Sequence, residues 1–444
     1  MEMNIKDFAL RALEAAEQAG VAPAEVSYTV SDAFSARVRN QQLEDYKVSE
    51  KLSVTLRGRV NGRIGTARTQ ALDEESISLL IRGVKESAEL IETDEQDEIL
   101  PPDAHYESVC NYSEALEAVG AQEKIALALK VDQCMQDADA RIKPDDTVVS
   151  SSASTFAMKN SLGLDLAHRS NMLYSYTSAL AKDGERAATG FKLLWGYGMD
   201  AISPETLAGE CREDALSQLY AGRMKSGKYK VVIKGSAMAD LLSTFSGVFS
   251  AENAQKGMSL LKDREGEAIA AECVTLTDDP LMPWGLASSP FDREGAATFR
   301  KNVIERGVLT TLLHNRKTAK KAGVKTTGNA AGAGQVAPTN FFFVPGDKTE
   351  DELLEAMGDG LYLTEVSGLH AGANGVSGDF SLLSRGFEVK GGKKTRAVEQ
   401  FTVAGNFYQL MKDVLAVGSE LKFEGSPIAS PAVYVREISV AGED

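Results

Sequence analysis

The sequence has little of what builds a metal site: four cysteines and four histidines in 444 residues. Cys110, Cys134, Cys211 and Cys273 lie far apart with no CxxC pair. That spacing excludes a zinc ribbon or a disulfide-dense scaffold and predicts buried free thiols. No apolar run reaches the roughly 18 residues that a membrane-spanning helix needs. The first twenty residues carry Lys, Asp and Glu in place of a continuous apolar stretch, so they predict an amphipathic helix and not a signal peptide; a cytoplasmic location is the expectation. No block of Lys/Arg offsets the formal charge of −16, from 48 basic and 64 acidic side chains, which argues against direct nucleic-acid contact. Gly328, Gly332 and Gly334 are followed by polar residues and Pro338 where a dinucleotide fold starts a helix, so no nucleotide loop is expected. There is no G-x-S-x-G, and Ser288-Ser289 has no evident histidine partner.

With 43% hydrophobic and 25% charged residues the composition is that of a globular protein, and the length predicts two or three domains. Asn4 caps a helix whose Ile5, Phe8, Leu13 and Ala16 share a face, and Gly20 ends it. Alternating strands follow, with a hairpin turn at Asn61-Gly62 and a second helix capped by Asp73. Residues 1–91 thus form an N-terminal α/β region, and 92–112, acidic and carrying Pro101-Pro102, a linker. Residues 113–225 read as helix, antiparallel meander and a helix opened by Ser203-Pro204; 226–444 form the largest domain. In that domain the periodicity predicts a strand over 228–234, then a helix with Met238, Leu241, Leu242, Phe245, Val248 and Phe249 on one face. Turn-rich sheet segments come next, then a helix over 406–417 and a last strand over 432–440. The fold class is α+β: smaller N-terminal α/β regions, then a large domain of mixed or antiparallel sheet with flanking helices.

Six segments of the last domain stand in a telling order: 285–295 (GLASSPFDREG), 316–330, 358–369, 377–381 (SGDFS), 386–393 (GFEVKGGK) and 401–421. Together they resemble the TldD/PmbA family of peptidase subunits. The resemblance implies a cytoplasmic metallopeptidase acting on small unfolded peptides. In its TldD-type members a helix bears His-Glu-x-x-x-His, and a cysteine near the C-terminus completes a zinc site. There two imidazoles and a thiolate hold the metal, and the glutamate takes a proton from its water. This chain departs from that pattern. The histidine positions fall on Leu242 and Gly247, the glutamate position on Ser243, and no cysteine follows Cys273.

The chain therefore resembles the TldE (PmbA) side of the family. That implies no catalytic residue and no cofactor in this chain, zinc in a TldD-like catalytic partner, and a heterodimer with that partner or a homodimer. A stand-alone homodimeric peptide-binding or scaffold protein is the alternative. Gly368, His370, Gly372, Asn374, Gly375 and Asp379, on a glycine-rich stretch, are the candidates for binding an unfolded peptide by strand addition. An enzyme with altered chemistry would use His370, Asp379 and Glu365. His105, His168 and His314 are expected at the surface.

Overall fold

The computed structural model describes residues 3–91, 98–136, 139–332 and 334–443. Residues 92–97 of the expected linker lie outside the described residues. Helix α1 (Ile5–Gln18) starts where the Asn4 side chain accepts the Asp7 N–H at 2.9 Å. It is followed by β1 (Ala24–Arg39), β2 (Gln42–Val60), β3 (Arg63–Thr69) and α2 (Glu74–Glu89), the last capped by Asp73. Then come α3 (Glu114–Glu117), α4 (Ala121–Gln136), β4 (Ile142–Asn160), β5 (Asp165–Asp183), β6 (Arg186–Gly196) and α5 (Pro204–Gln218), capped by Ser203.

All six strands join one antiparallel sheet in the order β3-β2-β1-β4-β5-β6. The join is β1 against β4, in register from Glu25↔Asn160 to Val38↔Thr147, so the first and middle regions share a sheet. One face is apolar: Val26, Val54 and Leu56 pack with Phe8 and Leu13 of α1 and Leu80 and Val84 of α2. Strand alternation then turns Ser27, Thr29, Ser53 and Thr55 to the other face. Residues 98–112 strap this sheet to the last domain. Asn160 Nδ2 donates to the Leu100 carbonyl at 2.8 Å, the Tyr106 hydroxyl to Gly295 O at 2.9 Å, and the Trp284 N–H to Cys110 O at 2.9 Å.

The last domain opens with β7 (Gly227–Ile233), α6 (Gly235–Phe245), a 3₁₀ turn at Ser246–Phe249 and α7 (Ala251–Gln255). Next are β8 (Leu276–Asp278), β9 (Lys301–Glu305), β10 (Val308–Leu309), α8 (Arg316–Ala322), β11 (Ala330–Gly332), β12 (Gln335–Val336) and β13 (Phe341–Phe343). The remainder is α9 (Glu350–Met357), β14 (Gly360–Ser367), α10 (Leu369–Gly372), β15 (Asp379–Lys390), β16 (Lys393–Asn406), α11 (Phe407–Lys412), β17 (Val414–Val417), β18 (Ile428–Ala429) and β19 (Val433–Ala441). Strands β16-β15-β14-β7-β19 close on themselves through Val403↔Val440, with β17 outside β19. A five-stranded sheet, β10-β9-β8-β13-β18, stands apart. Residues of both share one apolar cluster with α6, whose Phe245 stacks on Phe407 at 4.8 Å between ring centres.

Some expectations are corrected. The helix expected over 406–417 stops at Lys412, because Val414 and Val417 pair with Val435 and Val433 of β19. His314 is 3% exposed, not superficial; its backbone N–H donates to the Thr327 hydroxyl, and its Nδ1 lies 3.2 Å from the Thr318 hydroxyl. The four cysteines form no disulfide among the described residues, and only Cys211 is buried; Cys110 and Cys273 are exposed. No helix among the described residues is long and apolar enough to cross a membrane.

Candidate functional site

The helix that the resemblance singles out carries no metal chemistry here. Leu242 is fully buried in the apolar cluster, Ser243 is exposed, and Gly247 uses its carbonyl to accept from Asn253 Nδ2 at 2.8 Å. None offers the imidazole, thiolate or carboxylate that a zinc site uses, and the three face different surroundings. Among the described residues no group of three or more His, Cys, Asp or Glu side chains is placed to hold a metal ion. The donor set at these positions does not fit a zinc ion.

Just before these positions on α6, Asp240, although partly open to solvent, has its pKa pushed up to about 6 by loss of hydration, reinforced by the negative charges of Glu365 and Glu424. Glu365 is itself held: Arg385 donates to it from Nε at 2.6 Å and reaches Asp214 from its terminal nitrogen at 3.0 Å. The glycine-rich stretch lies past Glu365, and its polar groups are turned on one another. The Asn374 side-chain oxygen accepts the N–H groups of Val376 (2.9 Å) and Ser377 (3.1 Å), and the Asn374 N–H donates to Asp379 O at 2.8 Å. Asp379 accepts from the Ser377 hydroxyl at 2.8 Å and from Asn406 Nδ2 at 2.9 Å, which holds its carboxyl below the usual range. Gly372 N–H donates to Gly368 O at 2.8 Å. Gly375 and His370 are exposed, and among the described residues His370 forms no hydrogen bond or ion pair. Among the described residues no hydrogen bond or ion pair joins His370, Asp379 and Glu365 to one another; Glu365 is held by Arg385, and Asp379 by Ser377 and Asn406. Strand addition at this loop would first have to open it, because both flanking strands are already partnered within the sheet.

A larger space opens elsewhere, between the hydroxyl face of the long sheet and two of the six segments quoted above. Its first lobe, about 300 Å³, is lined by Ser154, Phe156, His168 and Ser170 of the sheet and by residues of 286–293 and 328–331. Cross-strand pairing sets the sheet wall, with Phe156 opposite His168 and Ser154 opposite Ser170. Asp292 ties the two segments together: it accepts from the N–H of Glu294 (2.9 Å), Ala296 (3.0 Å) and Ala330 (3.1 Å). Burial pushes its carboxyl up while these donors oppose the shift. Gly328 has φ +69° and a Cβ there would lie 2.9 Å from Ala297 O, so only glycine suits both the turn and the close approach. Beneath it, the buried Asp278–Lys301 pair (2.9 Å) holds Asn329, which donates to Asp278 at 2.8 Å and accepts from Lys301 at 3.1 Å.

The side chains facing this lobe suit binding better than acyl transfer. The Ser288 hydroxyl donates to Met282 O at 2.6 Å and accepts from Asn340 Nδ2 at 2.8 Å, so it is not held by a histidine. His168, which hydrogen-bonds the Ser288 backbone, has its pKa lowered by burial, with the Arg293 charge adding to the shift. That shift favours the neutral imidazole, and its Nε2 is buried without a hydrogen-bond partner among the described residues. Arg293 stands over the Phe156 ring at 4.0 Å and leads into the second lobe, about 540 Å³. That lobe is lined by Ser27, Thr29, Ser53, Thr55, Arg57, Thr66 and Arg68 of the sheet, with Arg293, Glu294 and Lys317 opposite. None of these residues was singled out for a role from the sequence. The alternation of Ser and Thr with Val along β1 and β2 is the signal that carried them, but their meeting with Arg293 depends on the register of distant strands.

An α+β chain with a closed C-terminal sheet, a long hydroxyl-faced sheet and a cleft between them defines a recognisable class. Its residues 24–88, 114–219 and 226–442 match, in order, domain 1, the central domain and the C-terminal domain of the PmbA/TldA metallopeptidases. The chain belongs to the TldD/PmbA metallopeptidase family. It is 26% identical over 429 residues to the metalloprotease PmbA of Escherichia coli O157:H7, covering 95% of this chain and 92% of that one. A Thermotoga maritima structure, named for a proposed modulation of DNA gyrase, superposes with a TM-score of 0.93 at 32% identity, covering 99% of this chain and all (100%) of that one. TldE from Thermococcus kodakarensis shares the fold, with a TM-score of 0.89 at 19% identity over 98% of this chain and 100% of that one.

Proposed function

We propose that this chain is the metal-free, TldE-like subunit of a TldD/TldE-type metallopeptidase. It pairs with a zinc-bearing homologue and helps to enclose small unfolded peptides while the partner cleaves them. The observation that carries the reading is α6. It is packed as a core helix, yet the positions where the family's zinc-bearing members have ligands and base are Leu242, Gly247 and Ser243, none of which can bind metal or accept a proton. The Phe156–Arg293 cleft supports a role in holding substrate: it offers donors and an aromatic face, and among the described residues no nucleophile–base pair. The charge of −16 argues against direct contact with DNA.

The test is co-expression with a homologue bearing His-Glu-x-x-x-His. A stable complex that hydrolyses unfolded peptides is expected, while the isolated chain carries no stoichiometric zinc and hydrolyses nothing. One zinc per isolated chain, with peptidase activity lost in His370→Ala, overturns the reading in favour of altered chemistry. Failure to form any complex at micromolar concentration leaves the stand-alone peptide-binding homodimer in its place.

A further inference from the structure

The second lobe of the cleft has a charge opposite to that of the whole molecule. Arg57, Arg68, Arg293 and Lys317 line it, and Glu294 is the lone carboxylate among the lining residues described. Arg57 is committed to Glu25 of the adjacent strand at 2.9 Å. Arg68 and Arg293 form no ion pair among the described residues, and burial lowers the pKa of Arg293 without a carboxylate to offset it. The sheet wall is unusual in the same sense. The side-chain hydroxyls of Ser27, Thr29, Ser53, Thr55 and Thr66 make no hydrogen bond among the described residues, and all five residues line the lobe. Register places them together: Ser27 opposes Thr55, Thr29 opposes Ser53, and Thr55 opposes Arg68. Two guanidinium groups without an anion and a lattice of unused hydroxyls, in a chain of net charge −16, make a receptor for an anionic group. The Phe156 ring, flat under Arg293, supplies an apolar floor where the lobe meets its neighbour.

We propose that this lobe binds a carboxylate of an extended peptide, either the terminal α-carboxylate or an acidic side chain, so that the cleft selects which peptides the assembly holds. The inference rests on the peptide-binding reading above. Its test is fluorescence anisotropy with the full-length chain and short labelled unstructured peptides in three forms: free C-terminal acid, C-terminal amide, and amide with an internal Glu. The acid form binds about tenfold more tightly than the amide if the α-carboxylate is read. The internal-Glu amide regains that affinity, and its Gln counterpart loses it, if a side chain is read. Arg68→Gln, on an exposed position of β3, lowers affinity for the carboxylate forms by about tenfold and leaves the amide unchanged, while Arg68→Lys retains most of the binding. Unaltered far-UV dichroism and melting temperature separate this from unfolding. Equal binding of every peptide form overturns the carboxylate assignment and leaves peptide binding intact, and so does equal weakening of all forms by Arg68→Gln. Displacement of the acid peptide by equimolar inorganic phosphate assigns the lobe to phosphate and overturns it too. Absence of binding to any form overturns the peptide reading and this inference with it.

Discussion

Removing the Lys301 cation tests whether the buried pair beneath the cleft supports the motif loops. Asp278 is fully buried and Lys301 is 8% exposed. Asp278 accepts four hydrogen bonds, from Lys301 Nζ (2.9 Å), Asn329 Nδ2 (2.8 Å), Thr339 N (2.5 Å) and the Thr339 hydroxyl (2.8 Å). At 2.9 Å the ion pair is worth about 6 kcal/mol gross at an effective dielectric constant near 20. Desolvation of both ions offsets much of this, so the pair as a whole adds little. Lys301→Met is a different perturbation: it keeps the side-chain volume and leaves a carboxylate in the interior with only neutral donors. The expected cost is about 3–5 kcal/mol, a fall of about 1–1.7 M in the urea midpoint for an m-value near 3 kcal/mol/M. Both tryptophans sit where the six-stranded sheet meets the last domain and report unfolding there: the Trp195 indole N–H donates to Phe423 O, and Trp284 packs on Tyr197 with ring centres 4.8 Å apart. Adding Asp278→Asn to Lys301→Met removes the stranded charge and restores at least about 1 kcal/mol. A loss below about 1 kcal/mol for the single variant, or a double variant as costly as the two singles summed, refutes the reasoning.

Two further variants probe α6. Asp240, with its pKa raised from 3.8 to about 6, keeps a proton in the folded chain that the unfolded chain has already lost, so stability falls as pH rises from about 4 to 6 and stays reduced above that. Because the group still meets solvent, screening limits the effect: Asp240→Asn gains about 1 kcal/mol at pH 7.5 and nothing below pH 4, and an equal gain at both, by thermal melts across pH, rejects it. At the start of the helix, a Cβ on Gly235 would lie 2.4 Å from the Ser430 carbonyl, so Gly235→Ala costs about 1–3 kcal/mol in denaturant titration, against a negligible change for Ser236→Ala.

What was legible in the sequence was local. The caps at Asn4, Asp73 and Ser203 each accept a backbone N–H as their residue types predict, and Asn61-Gly62 takes the positive φ values of a hairpin turn. Met238, Leu241, Leu242, Phe245, Val248 and Phe249 are all buried, as their spacing requires. The hairpin between β1 and β2 was not legible. Its turn is Asn40-Gln41, with φ of 50° and 60°, and glutamine seldom takes that conformation. The first residues of β2, from Gln42 to Val48, are all exposed and so show no apolar alternation. The 406–417 segment failed for the opposite reason: its spacing suits a helix, but β19 supplies strand partners that local pattern cannot see.

The same division separates the two parts of the candidate site. α6 is read from its own residues, because the absence of ligands is a local fact; the cleft needs strands β1 to β5 and two loops more than a hundred residues away. The structure adds a reason for the state of α6. Leu242 lies in the cluster that joins the closed sheet to the five-stranded one, and burying a leucine there contributes about 2 kcal/mol relative to leaving it exposed. A histidine at that position would bury a polar ring among apolar neighbours and, without a metal, leave it unsatisfied at a cost of about 1–3 kcal/mol. Without a metal at that position, the fold is thus more stable with leucine there. The cleft, where Arg68 and Arg293 form no ion pair among the described residues and add nothing evident to the core, is the part of the molecule that packing does not explain.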